Sequence, residues 1–226
     1  MSSIGGIVIV RFAVREVETR PPAGDQNKGH PTGYAERVQA RRGAGAQLVR
    51  ACLRDLGRPH EAVTRRCPGC GSNEHGRLEA QEASLSVSHA SDLTVAAAGP
   101  RTSSVGIDVE SCSRQADGVA AVLDLDDSAA DPLEEWVMRE AASKAWGIGV
   151  AEPLSRIALN TPAILQENRQ ASLGGRPPLE LIRLHLTSEH VCYLAVRALQ
   201  DLDIRLAEDD ASRATPIQAL RTKEMS

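Results

Sequence analysis

The chain has 226 residues, a formal charge of -4 and five cysteines. That length allows one large domain or two small ones with a substantial core, and the acidic balance argues against a general nucleic-acid binder, which would carry a basic excess. No apolar stretch reaches the length of a membrane span, and an odd cysteine count without a disulfide framework points to a reducing cytoplasm.

Ile4 to Val14 reads as an opening strand; its apolar part is short and runs straight into Arg11, so it is not read as a targeting signal. Glu18 to Gly33 is rich in Pro and Gly and reads as loop. Tyr34 to Leu56 reads as a helix stopped by Gly57, with Val38, Leu48, Val49, Cys52 and Leu56 on its apolar side. Arg41 falls on the same side and is expected to point inward, whereas Arg50 and Arg54 reach solvent. Gly43 to Ala46 leave that part of the helix almost without bulk, which suits close approach by another group. Cys67 to Gly76 is a turn-rich loop. Ala83 to Val87 and Leu93 to Ala98 read as a hairpin, with His89 to Asp92 at its turn.

After a connector from Gly99 to Ser104, V-G-I-D-V-E (105 to 110) alternates strictly. Val105, Ile107 and Val109 fall on one strand face and Gly106, Asp108 and Glu110 on the other. Two carboxylates thus project side by side. A polar run, a weak helix over Val119 to Leu123 and an acidic loop lead to Pro132, which suits a first helical turn. The helix that follows carries Leu133, Trp136, Val137, Glu140, Ala141 and Lys144 on one stripe and stops at Gly147. An acid and a base on an apolar stripe call for a reason, because burying charge is costly unless it is paired or binds an ion. Three carboxylates and a lysine meeting there would make a divalent-metal and phosphate site. Beyond Pro153 only a closing hairpin, Leu179 to Leu186 with His190 to Val196, is legible; residues 207-226 read as a loose tail. The two hairpins echo one another, which suggests two related α/β halves.

V-G-I-D-V-E followed by W-V-M-R-E-A-A-S-K (136 to 144) resembles the signature of the 4'-phosphopantetheinyl transferases, G-[IV]-D-x-E then W-x-x-[KR]-E-[AS]-x-x-K. S-V-S-H (86 to 89) is similar to the family's serine-histidine motif. C-P-G-C-G-S-N-E-H-G-R (67 to 77) is similar to a loop of many bacterial members, and R-R-G-A-G-A-Q-L-V-R (41 to 50) to their R-x-x-x-G-x-x-L-x-R helix. The matches run in order over most of residues 37 to 147, and the length points to the long, surfactin-type monomeric branch.

The resemblance implies an α+β fold: a pseudo-dimer of two similar subdomains, each a small antiparallel sheet packed on a long helix. The expected bounds are 1-103 for the coenzyme A-binding half and 104-206 for the metal-binding half, with the site in the cleft between them. It implies transfer of 4'-phosphopantetheine from coenzyme A to a serine of an apo acyl or peptidyl carrier protein, releasing 3',5'-ADP. Asp108, Glu110 and Glu140 would hold Mg2+, with Mn2+ as a substitute; this agrees with a hard ion's liking for carboxylate and phosphate oxygens. Glu140 or a metal-ordered water would take the serine proton, Lys144 would hold the pyrophosphate, and Arg41, Ser88 and His89, assisted by Arg77, would hold coenzyme A phosphates. The Arg-rich surface near Arg37, Arg42 and Arg139 is the expected docking face for an acidic carrier. No nucleic acid, no membrane and a monomer in the cytoplasm complete the expectation.

Other readings of the same residues stand beside these. Asp108 and Glu110 fit the solvent face of an edge strand, and Glu140 with Lys144 fits an ordinary i,i+4 ion pair. Arg41 fits a solvated charge, and His89 a turn cap. Cys67 and Cys70 fit half a zinc site, a redox pair or a plain turn; no second C-x-x-C exists, and His75 and His60 are the nearby extra ligands. The family often has Gly-Lys-Pro where this chain has Gly76-Arg77-Leu78, and the interval from Glu110 to Trp136 is shorter than usual. The alternative function is a non-catalytic relative that binds coenzyme A or a carrier protein; a third is an unrelated Mg2+-dependent phosphohydrolase.

Overall fold

Val8, Val10 and Phe12 alternate with Ile7, Ile9 and Ala13 along the first strand, β1 (Gly6–Val14), so both of its faces are apolar. Such a strand belongs in the middle of a sheet covered on both sides. The computed structural model, which describes residues 6–14, 32–67, 69–114, 116–123, 131–149, 152–160, 169–197 and 202–209, places it there. Most of the loop expected from Glu18 lies outside the described residues.

The first helix, α1 (Thr32–Asp55), starts slightly earlier than its pattern predicts and is followed by Gly57 at φ +74. Its buried Leu48, Val49, Cys52 and Leu53 pack with Ile9, Leu85, Ala96 and Ala98. A short hairpin follows, β2 (Thr64–Arg66) with β3 (Arg77–Glu79), holding the cysteine loop between its strands. Neither strand is legible in the sequence, because three residues carry no periodic signal. The next hairpin is longer than expected. β4 (Ala83–Ala90) and β5 (Leu93–Pro100) are joined by a two-residue turn, so His89 lies in the strand, opposite Thr94, and not at the turn.

β6 (Gly106–Ser111) is the central alternating strand. A helix α2 (Ala116–Leu123) leads to α3 (Pro132–Trp146). The Asp131 side chain accepts from the Leu133 N–H at 3.0 Å, capping the start of α3. Gly147, at φ +68, ends it, and its N–H turns back to the Lys144 carbonyl. Then come β7 (Ala158–Asn160), β8 (Arg169–Ser172), β9 (Leu179–Arg183) and β10 (His190–Val196). The closing hairpin is present, with β9 shorter than expected. The last described strand is β11 (Leu202–Glu208).

Three sheets result, in the orders β11-β1-β5-β4, β6-β10-β9-β8-β7 and β2-β3. One cluster joins the first two: Val8, Val10, Phe12 and Val95 meet Ile107, Val109, Leu194 and Val196. On the far face of the second sheet, Val137, Met138 and Ala141 of α3 pack on Leu181, Tyr193 and Ala195. The chain is therefore a mixed α+β structure of two face-to-face sheets with helices outside them. Among the described residues no helix is long and apolar enough to cross a membrane.

Two expected boundaries shift. β11 pairs with β1 in parallel, Gly6 opposite Leu202 and Phe12 opposite Glu208. The first sheet is thus mixed, not purely antiparallel, and a strand from beyond residue 200 belongs to it. The expected tail begins inside this strand: Ala207 and Glu208 are paired, and Arg11 binds Asp55 at 2.7 Å and Asp209 at 3.0 Å. Residues 210–226 lie outside the described residues.

Candidate functional site

Three serines at alternate positions of β4 face the second sheet, because period-two alternation points them one way. Ser84 Oγ accepts from the Val105 N–H at 2.9 Å, and Ser86 Oγ accepts from the Ile107 N–H at 3.0 Å. The third, Ser88, donates to Asp108 Oδ1 at 2.7 Å. This side-chain seam replaces a backbone ladder between two sheet edges and carries Ser88 to the carboxylate. The opposite face of β4 looks towards α1, where an added Cβ on Gly45 would meet Val87 Cγ2 at 3.0 Å and His89 Cε1 at 3.1 Å. The bare stretch of helix thus admits the His89 ring, whose Nδ1 lies 3.0 Å from Thr94 Oγ1.

Asp108 is the centre of the constellation and is only 5 % exposed. Lys144 reaches it from α3, with Nζ 2.5 Å from Asp108 Oδ1 and 3.0 Å from Ser88 Oγ. The approach depends on Gly106. A Cβ there would lie 2.1 Å from the Ala141 carbonyl oxygen and 2.4 Å from the Ala145 nitrogen, so α3 rests directly on the β6 backbone. Lys144 therefore meets Asp108, one strand position from Gly106 on the same face, instead of serving only as an i,i+4 partner of Glu140.

Glu110 and Glu140 complete the acidic side. Burial pushes the Glu110 carboxyl above its ordinary range; Arg114 opposes that shift and Asp108 adds to it. Arg114 pairs with Glu110 and stacks on the Trp136 ring, 4.9 Å from its centroid. Glu140 is also raised, chiefly by burial and then by the charge of Asp108, with Lys144 acting the other way. The sign follows: a carboxylate with a raised folded pKa weakens the fold when charged; that penalty is full above the folded value, shrinks as pH falls below it and is gone below the unfolded value. Glu140→Gln is expected to be more stable than wild type at pH 8, with the difference closing towards acid. Urea unfolding at several pH values measures it; an unchanged or reversed difference would refute the buried-charge account.

Asp108 Oδ2 is buried and has no hydrogen-bond partner. An orphaned carboxylate oxygen flanked by two desolvated carboxyls suits a hard cation. The three carboxylates do not form a closed cage: among the described residues, only Cys67, Cys70 and His75 bring three ligand atoms within 4.8 Å of one another. Mg2+ does not require such a cage, since it takes one or two carboxylates and fills its shell with phosphate and water.

The remaining expected residues lie further out. Arg41 is exposed, not turned inward, and its guanidinium reaches the Ser91 carbonyl at 3.4 Å. Arg77 lies against Gly147 and lines a cavity of about 220 Å³ with Arg176, Arg197 and Trp146. Arg176 and Arg197 were not anticipated; Arg176 lies in the turn between β8 and β9 and Arg197 in the loop just past β10, where no period marks them. Arg114 was missed for the same reason. The docking face needs correction at Arg139, which is 8 % exposed, pairs with Glu135 and donates to the Ile157 carbonyl at 3.1 Å. Arg42 is exposed but bound to Glu74 at 2.9 Å, and the Arg37 side chain lies outside the described residues.

Among the cysteines, Cys52 and Cys192 are buried, and burial pushes the Cys52 thiol up to about 12. Cys67 is the opposite case: backbone hydrogen bonds from Cys70 and Gly69, with the Cys70 side chain, bring its thiol down to about 7.

No protein-family model matches the chain, and no curated protein matches it.

Proposed function

We propose that the chain is a Mg2+-dependent 4'-phosphopantetheinyl transferase of the long, pseudo-dimeric type. It moves phosphopantetheine from coenzyme A to the serine of an apo acyl or peptidyl carrier protein and works as a cytoplasmic monomer. The observation that carries the reading is the meeting of Ser88, Asp108 and Lys144, drawn from three elements, around an unpartnered buried carboxylate oxygen. The proposal pairs the two helix-covered sheets as related halves, with β11 crossing to close the first.

In this reading Asp108, Glu110 and Glu140 would hold Mg2+, whose chemistry there would be neutralisation of phosphate charge. The carrier serine oxygen attacks the phosphorus that bears the pantetheine arm, and the bond to the oxygen of 3',5'-ADP breaks. Glu140, its affinity for a proton raised by burial, accepts the serine proton. Lys144 sits where it can exchange its contact with Asp108 for the charge on the departing ADP. Ser88, on the Asp108 side of β4, and His89, on its α1-facing side, would each hold a coenzyme A phosphate. Arg77, grouped with Arg176 and Arg197, offers a second cationic surface, and Arg41 stands beside the β4–β5 turn.

Intact mass spectrometry of a promiscuous apo carrier protein tests the reading. Incubation with coenzyme A and Mg2+ is expected to add the mass of one phosphopantetheine. EDTA should abolish the gain, and excess Mg2+ should restore it. A second reading has one observation in its favour: Lys144 and Arg114 already neutralise two of the carboxylates. It makes the chain a non-catalytic binder of coenzyme A or a carrier protein. A thermal shift with coenzyme A but no mass gain on several carriers would select it.

A further inference from the structure

The tip of the β2–β3 hairpin carries chemistry that the proposed transfer does not use. Cys67 leaves β2, Cys70 follows three residues on, and His75 comes just before Gly76 and β3. One ligand atom from each lies within 4.8 Å of the other two, and Cys70 Sγ is 3.3 Å from His75 Nε2. Tetrahedral zinc, with Zn–S about 2.3 Å and Zn–N about 2.0 Å, separates neighbouring ligand atoms by about 3.3 to 3.8 Å. The Cys70–His75 pair therefore stands at about the spacing that such an ion sets, with the Cys67 ligand atom within 4.8 Å of both.

The backbone is already folded for this. The Gly71 N–H donates to the Cys67 carbonyl at 2.8 Å, and the Cys67 N–H donates to the Ser72 carbonyl at 2.9 Å. Gly71 sits at φ +73 and Gly76 at φ +105, where a Cβ would come within 2.4 Å of the Arg66 carbonyl oxygen. Gly76 thus closes the loop on the end of β2 directly after His75. The ligands are reachable: Cys70 and His75 are exposed and Cys67 is half-buried. Apart from Leu78, which packs on the α1 cluster, and the Arg42–Glu74 pair, the hairpin has little support of its own. Each strand has three residues, and only Arg65 and Leu78 are even partly covered. A pair of strands that short does not hold itself together in water.

We propose that Cys67, Cys70 and His75 bind one Zn2+ per chain, with water in the fourth position, and that the ion pins the β2–β3 hairpin. Two sulfurs and an imidazole select a borderline-soft ion, so the site discriminates against the Mg2+ that suits carboxylates. Each thiol releases its proton to solvent as its Zn–S bond forms. The ion fixes the loop that leads into Arg77, and hence the guanidinium lying against Gly147. The site stands independently of the transferase reading.

The test uses the full chain, purified reduced, loaded with ZnCl2 and desalted. Elemental analysis is expected to find one zinc per chain. Loading with Co2+ instead is expected to give thiolate-to-metal charge-transfer absorption and the visible bands of a tetrahedral ion. Cys70→Ser and His75→Ala should lose zinc retention, while Cys112→Ser, an exposed thiol outside the group, should keep it. Wild-type protein that keeps no zinc and gives no charge-transfer band overturns the proposal. So does zinc retained in full by both ligand variants, or a Cys67–Cys70 disulfide formed in place of metal under the same reducing conditions. If a ligand variant loses its far-UV circular dichroism, the wild-type cobalt spectrum decides alone.

Discussion

Asp108→Ala is expected to lower carrier modification by about a thousandfold or more while leaving the protein folded. The substitution removes the carboxylate shared by Ser88 and Lys144 and one of the expected metal ligands. It also removes a carboxylate oxygen that lies buried without a partner, so part of the lost pairing is offset by relief of that desolvation. The Lys144 side chain is 29 % exposed and can turn to water or to Glu140 once freed. Single-turnover mass spectrometry of the carrier, beside a urea unfolding curve, separates the two effects. Near-wild-type transfer by a folded Asp108→Ala would remove Asp108 from the chemistry and the proposed mechanism with it. Asp108→Asn sharpens the result, because it keeps the shape and a hydrogen bond to Ser88 but not the charge.

Gly106→Ala is expected to be the most damaging single methyl group in the described structure. The new carbon would fall 2.1 Å from one backbone atom of α3 and 2.4 Å from another. Neither is the end of a flexible side chain, so the helix must move as a body. Overpacking of this kind costs roughly 3 kcal/mol, and a chain of this size loses roughly 2–4 °C of Tm per kcal/mol. Displacing α3 also draws Lys144 away from Asp108, so activity should fall even below the melting range. Differential scanning calorimetry with the transfer assay checks both; an unshifted Tm would mean that α3 does not rest on β6 as described. Gly43, with nothing within 4 Å of its Cβ position, is the control that should accept alanine.

The elements carrying these predictions were legible because their periods are strong. Val105 to Glu110 alternates without a break, and α3 shows a stripe bounded by Pro132 and Gly147, each a stop or start with a backbone reason. The placing of Asp108 and Glu110 on one strand face, and of Glu140 and Lys144 on the apolar stripe of the helix, follows from those periods alone; that α3 covers the strand face does not. What the pattern could not supply was tertiary. Arg41 shares a side with Leu48, yet that turn of α1 reaches past the sheet, so the arginine stays in water and meets Ser91. Arg139 reads as surface because arginine usually is; its burial rests on Glu135 one turn earlier and on a carbonyl eighteen residues on. Ser84 and Ser86 look like polar interruptions of a strand until β6 offers them its N–H groups. β11 was invisible because its weak alternation acquires meaning only beside β1.

The parallel pairing of β1 with β11 bears on how the protein is made. During translation β1 leaves the ribosome early, but one of its two neighbours in the sheet, β11, is synthesised only after almost two hundred intervening residues. Until then β1 presents an unpaired edge, the kind of surface that recruits other chains. Contacts of such sequence separation slow folding and lengthen the exposed interval. The second sheet, whose described pairings all lie within Gly106 to Val196, can be complete before β11 appears. The first sheet, begun earliest, would then be the last to be completed, and a slowly translated or truncated message should yield aggregates seeded by β1, not a stable N-terminal fragment.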